Sequence, residues 1–161
     1  MNRIIAIALI FISRLAIGQT DFKEQFKIFT IESNELGRVE YCTFKSTIDK
    51  KKPILLFIHG SGNEPTFCYQ TDLKTYAWKG FLEIEKYKDS YHVISVSKPG
   101  VPLFDTVQKD PVNFQTSYPL NNEFTNRYSL EWRAKAASLI IDQAIKQLPV
   151  DQSRILVIGH S

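Results

Sequence analysis

Two short segments of the sequence are apolar throughout and run directly into a glycine-containing turn. Residues 53–58 (Pro-Ile-Leu-Leu-Phe-Ile) precede His-Gly-Ser-Gly at 59–62, and residues 155–158 (Ile-Leu-Val-Ile) precede Gly-His-Ser at 159–161. A strand with one solvated face alternates apolar and polar residues, whereas a strand that is apolar throughout is typical of the buried centre of a parallel sheet. The sequence therefore predicts two central parallel strands, each ending in a turn.

The rest of the chain supplies further strands and helices. The predicted elements are strands at 25–32, 38–47, 53–58, 91–96 and 154–158, helices over 67–88 and 130–148, and a long irregular stretch over 101–126. The first two strands form an antiparallel hairpin, and Ser129 is the expected N-cap of the second helix. Buried strands that alternate with helices predict an α/β fold with a mostly parallel sheet, helices on both faces and this N-terminal hairpin.

Length and charge exclude several classes of protein. The 161 residues, 43% hydrophobic and 23% charged, are enough for one globular domain. The formal charge of +3 falls to +1 without the first eighteen residues, because Arg3 and Arg14 are the charged residues there. The lysines at 50–52 fit a solvated turn, and no basic face with interleaved aromatic residues accompanies them. Nucleic acid is therefore not expected as a partner.

The N-terminal segment has the composition of a secretory signal peptide. A positively charged start precedes the apolar run 4–12, and Ala-Ile-Gly at 16–18 supplies the small residues of a cleavage site before Gln19. The run is shorter than the roughly 20 apolar residues that span a bilayer, so no stable membrane anchor is expected. The sequence predicts a signal peptide over 1–18 and a secreted or periplasmic chain over 19–161; a first buried strand or helix is the alternative.

Two cysteines, Cys42 and Cys68, leave two interpretations open. They could pair in an oxidising compartment if their Cα atoms lie within about 7 Å of each other, or they could be separate thiols. Because the chain has no Cys-X-X-Cys pair and few histidines, a zinc site is not expected. No other metal and no cofactor is predicted.

The two glycine turns are expected to lie side by side. The carboxyl ends of parallel strands meet at one edge of a sheet, where such sheets bind ligands. A serine hydroxyl at that edge becomes a nucleophile when a base takes its proton, and backbone N–H groups stabilise the oxyanion that then forms. Ser161 is accordingly the predicted nucleophile, and the backbone N–H of Ser61 is a predicted oxyanion donor.

These motifs resemble those of the α/β-hydrolase fold superfamily, in particular its serine esterase and peptidase-like members. Residues 57–62 match the oxyanion strand and turn, and residues 156–161 match the strand and the first half of the nucleophile elbow. The resemblance covers residues 25–161 in element order. It implies that 19–161 is the N-terminal portion of a single hydrolase domain, truncated at the elbow. The residues it implies as supporting the two turns are His59, Gly60, Gly62, Gly159 and His160.

The family places its acid and its base after the nucleophile, in the order Ser, Asp or Glu, His. Neither follows Ser161 in this sequence, and the histidines at 59, 92 and 160 do not fit the role of the base. Residues 1–161 alone are therefore expected to be inactive. They are also expected to be poorly soluble, because the last strand would form an open sheet edge.

The resemblance implies a serine hydrolase that cleaves an ester, thioester or amide bond in a small molecule or peptide. Two alternatives stay open, namely a peptidase of the prolyl-oligopeptidase type and a non-catalytic exported α/β module that binds a ligand. A glycine two positions after Ser161, followed later by an acid and a histidine, would separate the enzymes from the binding module.

Overall fold

The computed structural model describes residues 22–71, 75–78, 84–110 and 115–159. The strands are β1 (Phe26–Ser33), β2 (Gly37–Phe44), β3 (Lys52–Ile58), β4 (Phe67–Gln70), β5 (Thr75–Trp78), β6 (His92–Val96), β7 (Phe104–Thr106), β8 (Gln108–Lys109), β9 (Thr116–Ser117) and β10 (Val150–Gly159). The helices are α1 (Asn122–Arg127) and α2 (Leu130–Gln147), with 3₁₀ turns at Phe22–Gln25, Lys45–Thr47 and Ile84–Tyr87. The predicted signal peptide lies outside the described residues and stays a prediction.

The main sheet has five strands in the order β1-β2-β6-β3-β10. β1 and β2 form the predicted antiparallel hairpin, and Gly37 takes the positive φ of 75° at its turn, which glycine adopts without strain. β2 is antiparallel to β6, while β3 is parallel to both β6 and β10. The predicted parallel centre of the sheet is thus confirmed.

One face of this sheet packs against α2. Ile54 and Leu56 of β3 point to that face and meet apolar residues spaced four apart on α2. The buried residues of α2 are Trp132, Ala136, Ile140 and Ala144. The Ser129 hydroxyl accepts a hydrogen bond from the Trp132 N–H at 3.1 Å, so the predicted N-cap is confirmed.

The opposite face is covered by a second, three-stranded sheet in the order β5-β4-β7. The helix predicted over 67–88 is therefore wrong: its described residues form the antiparallel hairpin of β4 and β5 and a 3₁₀ turn. The segments Phe-Cys-Tyr-Gln and Thr-Tyr-Ala-Trp are rich in aromatic residues that favour strands. Phe67 also stacks on Phe104 of β7 with ring centroids 4.5 Å apart. The expectation of helices on both faces is corrected accordingly, since within the described ranges a helix covers one face and a sheet the other.

The irregular stretch predicted over 101–126 is also partly ordered, because it contains β7, β8, β9 and the start of α1. Its hairpin of β8 and β9 is short and mostly exposed. α1 begins at an Asn121 cap whose side chain accepts a hydrogen bond from the Phe124 N–H at 2.7 Å.

The connections between the parallel strands run over opposite faces. The chain leaves β3, passes through β4 and β5 on one face, and enters β6 on one side of β3. It then returns through α2 on the other face and enters β10 on the other side of β3. The order of the strands therefore reverses between β3 and β10, and sheets of this kind bind ligands outside the carboxyl ends of the strands at such a reversal.

Both cysteines are buried, Cys42 in β2 and Cys68 in β4, and no disulfide joins them. Burial raises the pKa of the Cys42 thiol, and the Cys68 thiol donates to the Pro65 carbonyl oxygen at 3.3 Å. The sequence left open a disulfide or two separate thiols, and in the structure the two thiols are separate. No group of three or more metal-binding side chains occurs in the described ranges. No helix among them is long and apolar enough to cross a membrane.

Candidate functional site

The end of β3 lies beside the end of β10. In their parallel register Phe57 pairs with Ile158, and Ile58 pairs with Gly159. The last residues of β3 and β10 are thus paired with each other, and the two strands end side by side where the strand order reverses. The residues that follow are the turn 59–62 on one strand and 160–161 on the other. This register is the one that the predicted approach of the two turns requires; His160 and Ser161 lie outside the described residues, and their placement stays a prediction.

The turn 59–62 has a buried first half and an exposed second half. His59 is 8% exposed and Gly60 is buried, while Ser61 and Gly62 are exposed. The His59 ring meets the Phe57 ring edge-on, with centroids 6.4 Å apart. The turn is therefore anchored where it leaves β3 and open to solvent where the oxyanion donor is predicted.

A tyrosine hydroxyl holds the first half of the turn. Tyr128, between α1 and α2, donates from Oη to the carbonyl oxygen of Gly60 at 2.9 Å and to that of His59 at 3.1 Å. A phenol keeps its proton at neutral pH, and burial raises the pKa of this one further, so the hydroxyl stays a donor. Two consecutive backbone carbonyls are thereby fixed by one side chain.

A buried lysine holds the second half. The Lys98 side chain, just after β6, is 3% exposed, and its ammonium donates to the carbonyl oxygens of Gly62 and, at 2.9 Å, Glu64. Thr66 adds a hydroxyl hydrogen bond to the Val96 carbonyl oxygen at 3.1 Å. The loop after β3 is therefore tied to the loop after β6, its neighbour at the same edge of the sheet.

The segment that follows β7 packs against the same loop. Asn63 donates from its side-chain amide to the Tyr118 carbonyl oxygen at 2.7 Å, and Thr116 donates to the Glu64 carboxylate at 2.5 Å. The Tyr118 hydroxyl donates to an Asp105 carboxylate oxygen at 2.6 Å. The pKa of Tyr118 is raised to about 12, mainly by burial. The stretch predicted as irregular thus packs against the loop that follows β3.

The space around each glycine shows whether a residue with a side chain could replace it. Gly100 needs to be glycine, because its φ is +64° and an added Cβ would lie 2.6 Å from the Asn121 side-chain oxygen. An added Cβ at Gly62 or Gly159 would meet nothing within 4 Å among the described atoms. Among the described residues, nothing therefore blocks a larger side chain at Gly62, on the exposed half of the turn 59–62.

A cleft of about 300 Å³ lies beyond the end of β6, and Lys98, which holds the turn 59–62, is one of its lining residues. Its lining residues are Arg38, Glu40, Ser97, Lys98, Gly100, Val101, Pro102 and Glu123. Arg38 and Glu40 form an ion pair of 2.6 Å in its wall, and the Ser97 hydroxyl accepts from the Glu40 N–H at 2.9 Å. Its size is at the lower end of the range for small-molecule sites.

His92 is excluded as a partner of the candidate nucleophile. It is the first residue of β6, so it lies at the opposite edge of the sheet from the turn 59–62. It is 1% exposed, with Nε2 at 3.2 Å from the Pro149 carbonyl oxygen, and burial lowers its pKa. The sequence indicates a packing or surface residue at this position, and the structure buries it.

Sequence reasoning missed both side chains that hold the turn. Lys98 occurred only within the Lys-Pro-Gly turn after β6, where a lysine is usually solvated. Tyr128 precedes the Ser129 cap and carries no motif. Both act over long distances along the chain, so local spacing did not reveal them.

Lys98→Met tests the buried ammonium. We expect the free energy of unfolding to fall by about 1–3 kcal/mol, because two carbonyl acceptors lose their donor while the length of the side chain is kept. Urea denaturation followed by circular dichroism measures the change. The control is Lys146→Met, since Lys146 is exposed on α2 and should change stability little. A Lys98→Met protein as stable as the parent would show that these hydrogen bonds contribute nothing.

No family model matches the chain, and no curated protein sequence matches it. The solved structures that are similar to it include two esterases. The crystal structure of a thermostable esterase has a TM-score of 0.46 at 22% identity, over 86% of this chain and 35% of the esterase chain. The structure of esterase Est22 has a TM-score of 0.43 at 17% identity, over 97% of this chain and 43% of that chain. The chain therefore spans less than half of the length of either esterase.

Proposed function

We propose that this chain carries the nucleophile and one oxyanion donor of a serine hydrolase that cleaves an ester, thioester or amide bond. The observation that carries the proposal is the parallel register of Ile58 with Gly159 at the reversal of strand order. It supports a common crevice for the turn 59–62 and for the Gly-His-Ser sequence that ends at Ser161. The two motifs are about a hundred residues apart in the sequence and would otherwise have no reason to act together.

In the proposed reaction, Ser161 Oγ bonds to the substrate carbonyl carbon while its proton passes to a base. The carbonyl oxygen becomes an oxyanion held by the N–H of Ser61 and by the N–H of the residue after Ser161. Each such donor contributes roughly 3–4 kcal/mol to transition-state stability. Collapse of the intermediate breaks the bond to the leaving group, which takes the proton, and water then hydrolyses the acyl-enzyme.

The proposal assigns the base and its acid to residues that follow Ser161, in the order found in α/β-hydrolases. None of the described histidines offers an alternative, since His92 lies at the far edge of the sheet and His59 belongs to the turn itself. The substrate is proposed only as a small molecule or peptide with a carbonyl ester, thioester or amide group.

A fluorophosphonate probe tests the nucleophile directly. The protein expressed from its complete gene is incubated with the probe, digested and analysed by mass spectrometry. We expect the phosphonyl group on Ser161 in the native protein and no labelling after heat denaturation, because the probe reacts with an activated serine only. Labelling at a different serine would overturn the assignment.

The sequence of the complete gene separates the remaining alternatives. A glycine two positions after Ser161, with an acid and a histidine further on, supports the hydrolase. If no histidine follows and no serine is labelled, the non-catalytic binding module is the correct interpretation. Cleavage of peptide amides in preference to small esters would instead indicate the peptidase type.

A further inference from the structure

The hydroxyl of Tyr128 does more than satisfy two carbonyls, because it determines where the backbone of the turn points. It donates to the carbonyl oxygens of His59 and Gly60 at 3.1 and 2.9 Å, so both C=O groups are directed to the same atom. One hydroxyl proton shared between two acceptors is a three-centre hydrogen bond, which restricts both peptide planes at once.

The direction of the N–H groups follows from peptide geometry. In a planar trans peptide the C=O and the N–H of the same unit point in opposite directions. The carbonyl of His59 belongs to the same peptide unit as the N–H of Gly60, and the carbonyl of Gly60 to the same unit as the N–H of Ser61. Both N–H groups are therefore directed away from Tyr128. Successive N–H groups on one side of the backbone form a site suited to an anion.

The phenol ring itself packs against two neighbouring side chains. The Arg133 guanidinium lies 4.4 Å from the centroid of the Tyr128 ring, and the Phe124 ring stacks on it with centroids 4.7 Å apart. These contacts come from α2 and α1, the helices on either side of Tyr128. The hydroxyl is therefore presented by packed helices and not by a mobile loop.

From this geometry we infer that Tyr128 is a positioning residue for the oxyanion site, aiming the N–H groups of Gly60 and Ser61 at the substrate. The inference rests on the proposed function and deepens it. Tyr128 touches neither the substrate nor the reacting atoms; it acts through the backbone of the turn. Its loss should therefore weaken stabilisation of the transition state and leave binding of the ground state largely unchanged.

The test compares Tyr128→Phe with Tyr41→Phe in the protein expressed from its complete gene. Each change removes one phenol oxygen, and the Tyr41 hydroxyl donates to the Gln147 side chain at 3.0 Å, away from the turn. With p-nitrophenyl acetate, we expect Tyr128→Phe to lower kcat about 10- to 100-fold with KM changed less than about threefold. Tyr41→Phe should keep kcat within about twofold, and the melting temperature of both variants shows whether they are folded.

A boronic acid inhibitor supplies a second measurement, because its tetrahedral adduct with the serine occupies the oxyanion site. We expect Tyr128→Phe to weaken the inhibitor by about the same factor as kcat. An unchanged kcat and inhibitor affinity in Tyr128→Phe, or equal losses in the two tyrosine variants, would overturn the inference and leave the hydrolase proposal intact. A parent protein without Ser161-dependent hydrolysis would overturn both.

Discussion

Ser161→Ala is expected to lower kcat for ester hydrolysis by about 10⁴-fold or more in the protein expressed from its complete gene, whereas Ser61→Ala is expected to change it less than about threefold. Alanine at 161 removes the hydroxyl that would form the acyl-enzyme, and loss of a serine nucleophile has effects of this size. Alanine at 61 keeps the backbone N–H, which is the part of Ser61 that the proposal uses. The exposure of Ser61 also makes its side chain tolerant of replacement.

The same chemical change at two serines thus separates a side-chain role from a backbone role. Steady-state hydrolysis of p-nitrophenyl acetate measures kcat and KM for each variant, and circular dichroism shows that each is folded. If Ser161→Ala hydrolyses the ester like the parent, Ser161 is not the nucleophile. If Ser61→Ala loses activity as strongly as Ser161→Ala, the Ser61 hydroxyl takes part in the chemistry, and the backbone assignment is wrong.

Trp132→Ala is expected to lower the free energy of unfolding by about 3–5 kcal/mol. The indole is 5% exposed in the core between α2 and the main sheet, and its Nε1–H donates to the Leu36 carbonyl oxygen at 3.1 Å. Alanine leaves a cavity and an unpaired buried acceptor at the turn of the first hairpin. Urea denaturation followed by circular dichroism gives the change.

Two controls divide that loss into its parts. Trp132→Phe keeps much of the ring volume and removes the N–H donor, so it should cost less than Trp132→Ala. Leu130 lies on the same helix, but its side chain is 81% exposed. Leu130→Ala should therefore change the free energy of unfolding by no more than about 0.5 kcal/mol. A Trp132→Ala change as small as that of Leu130→Ala would show that α2 does not depend on this contact.

The sequence predicted those elements whose pattern is local. The hairpin of β1 and β2 alternates with period two, β3 is apolar throughout, and α2 has a four-residue apolar spacing after a serine cap. Each of these patterns depends on neighbours a few residues away. The strands and helix they predicted agree with the structure to within a few residues at most of their ends.

The error over 67–88 has a physical cause. Apolar residues in that segment recur at roughly helical spacing, but the pairing of Phe67 with Phe104 and with Trp78 decides the structure. The pairing of Phe67 with Phe104 spans more than thirty residues and is a tertiary effect, and strand preference depends strongly on such context. The second sheet could not be predicted from a local pattern.

The candidate site likewise has a part that the sequence predicted and a part that it did not. The turn 59–62 was predicted from its glycines and from the buried strand before it, and its position at the strand-order reversal agrees with that prediction. Tyr128 and Lys98 were not predicted, because their partners are 68 and 36 residues away in the sequence. Side chains that fix a backbone turn from a distance leave no periodic pattern.

The contact of Tyr128 with the turn also bears on the order in which the molecule is assembled. The turn is synthesised about seventy residues before the side chain that orients it. Until α2 has docked on the sheet, the peptide planes at His59 and Gly60 lack this restraint. The restraint on these two peptide planes therefore depends on a long-range contact, and such contacts generally form more slowly than local ones.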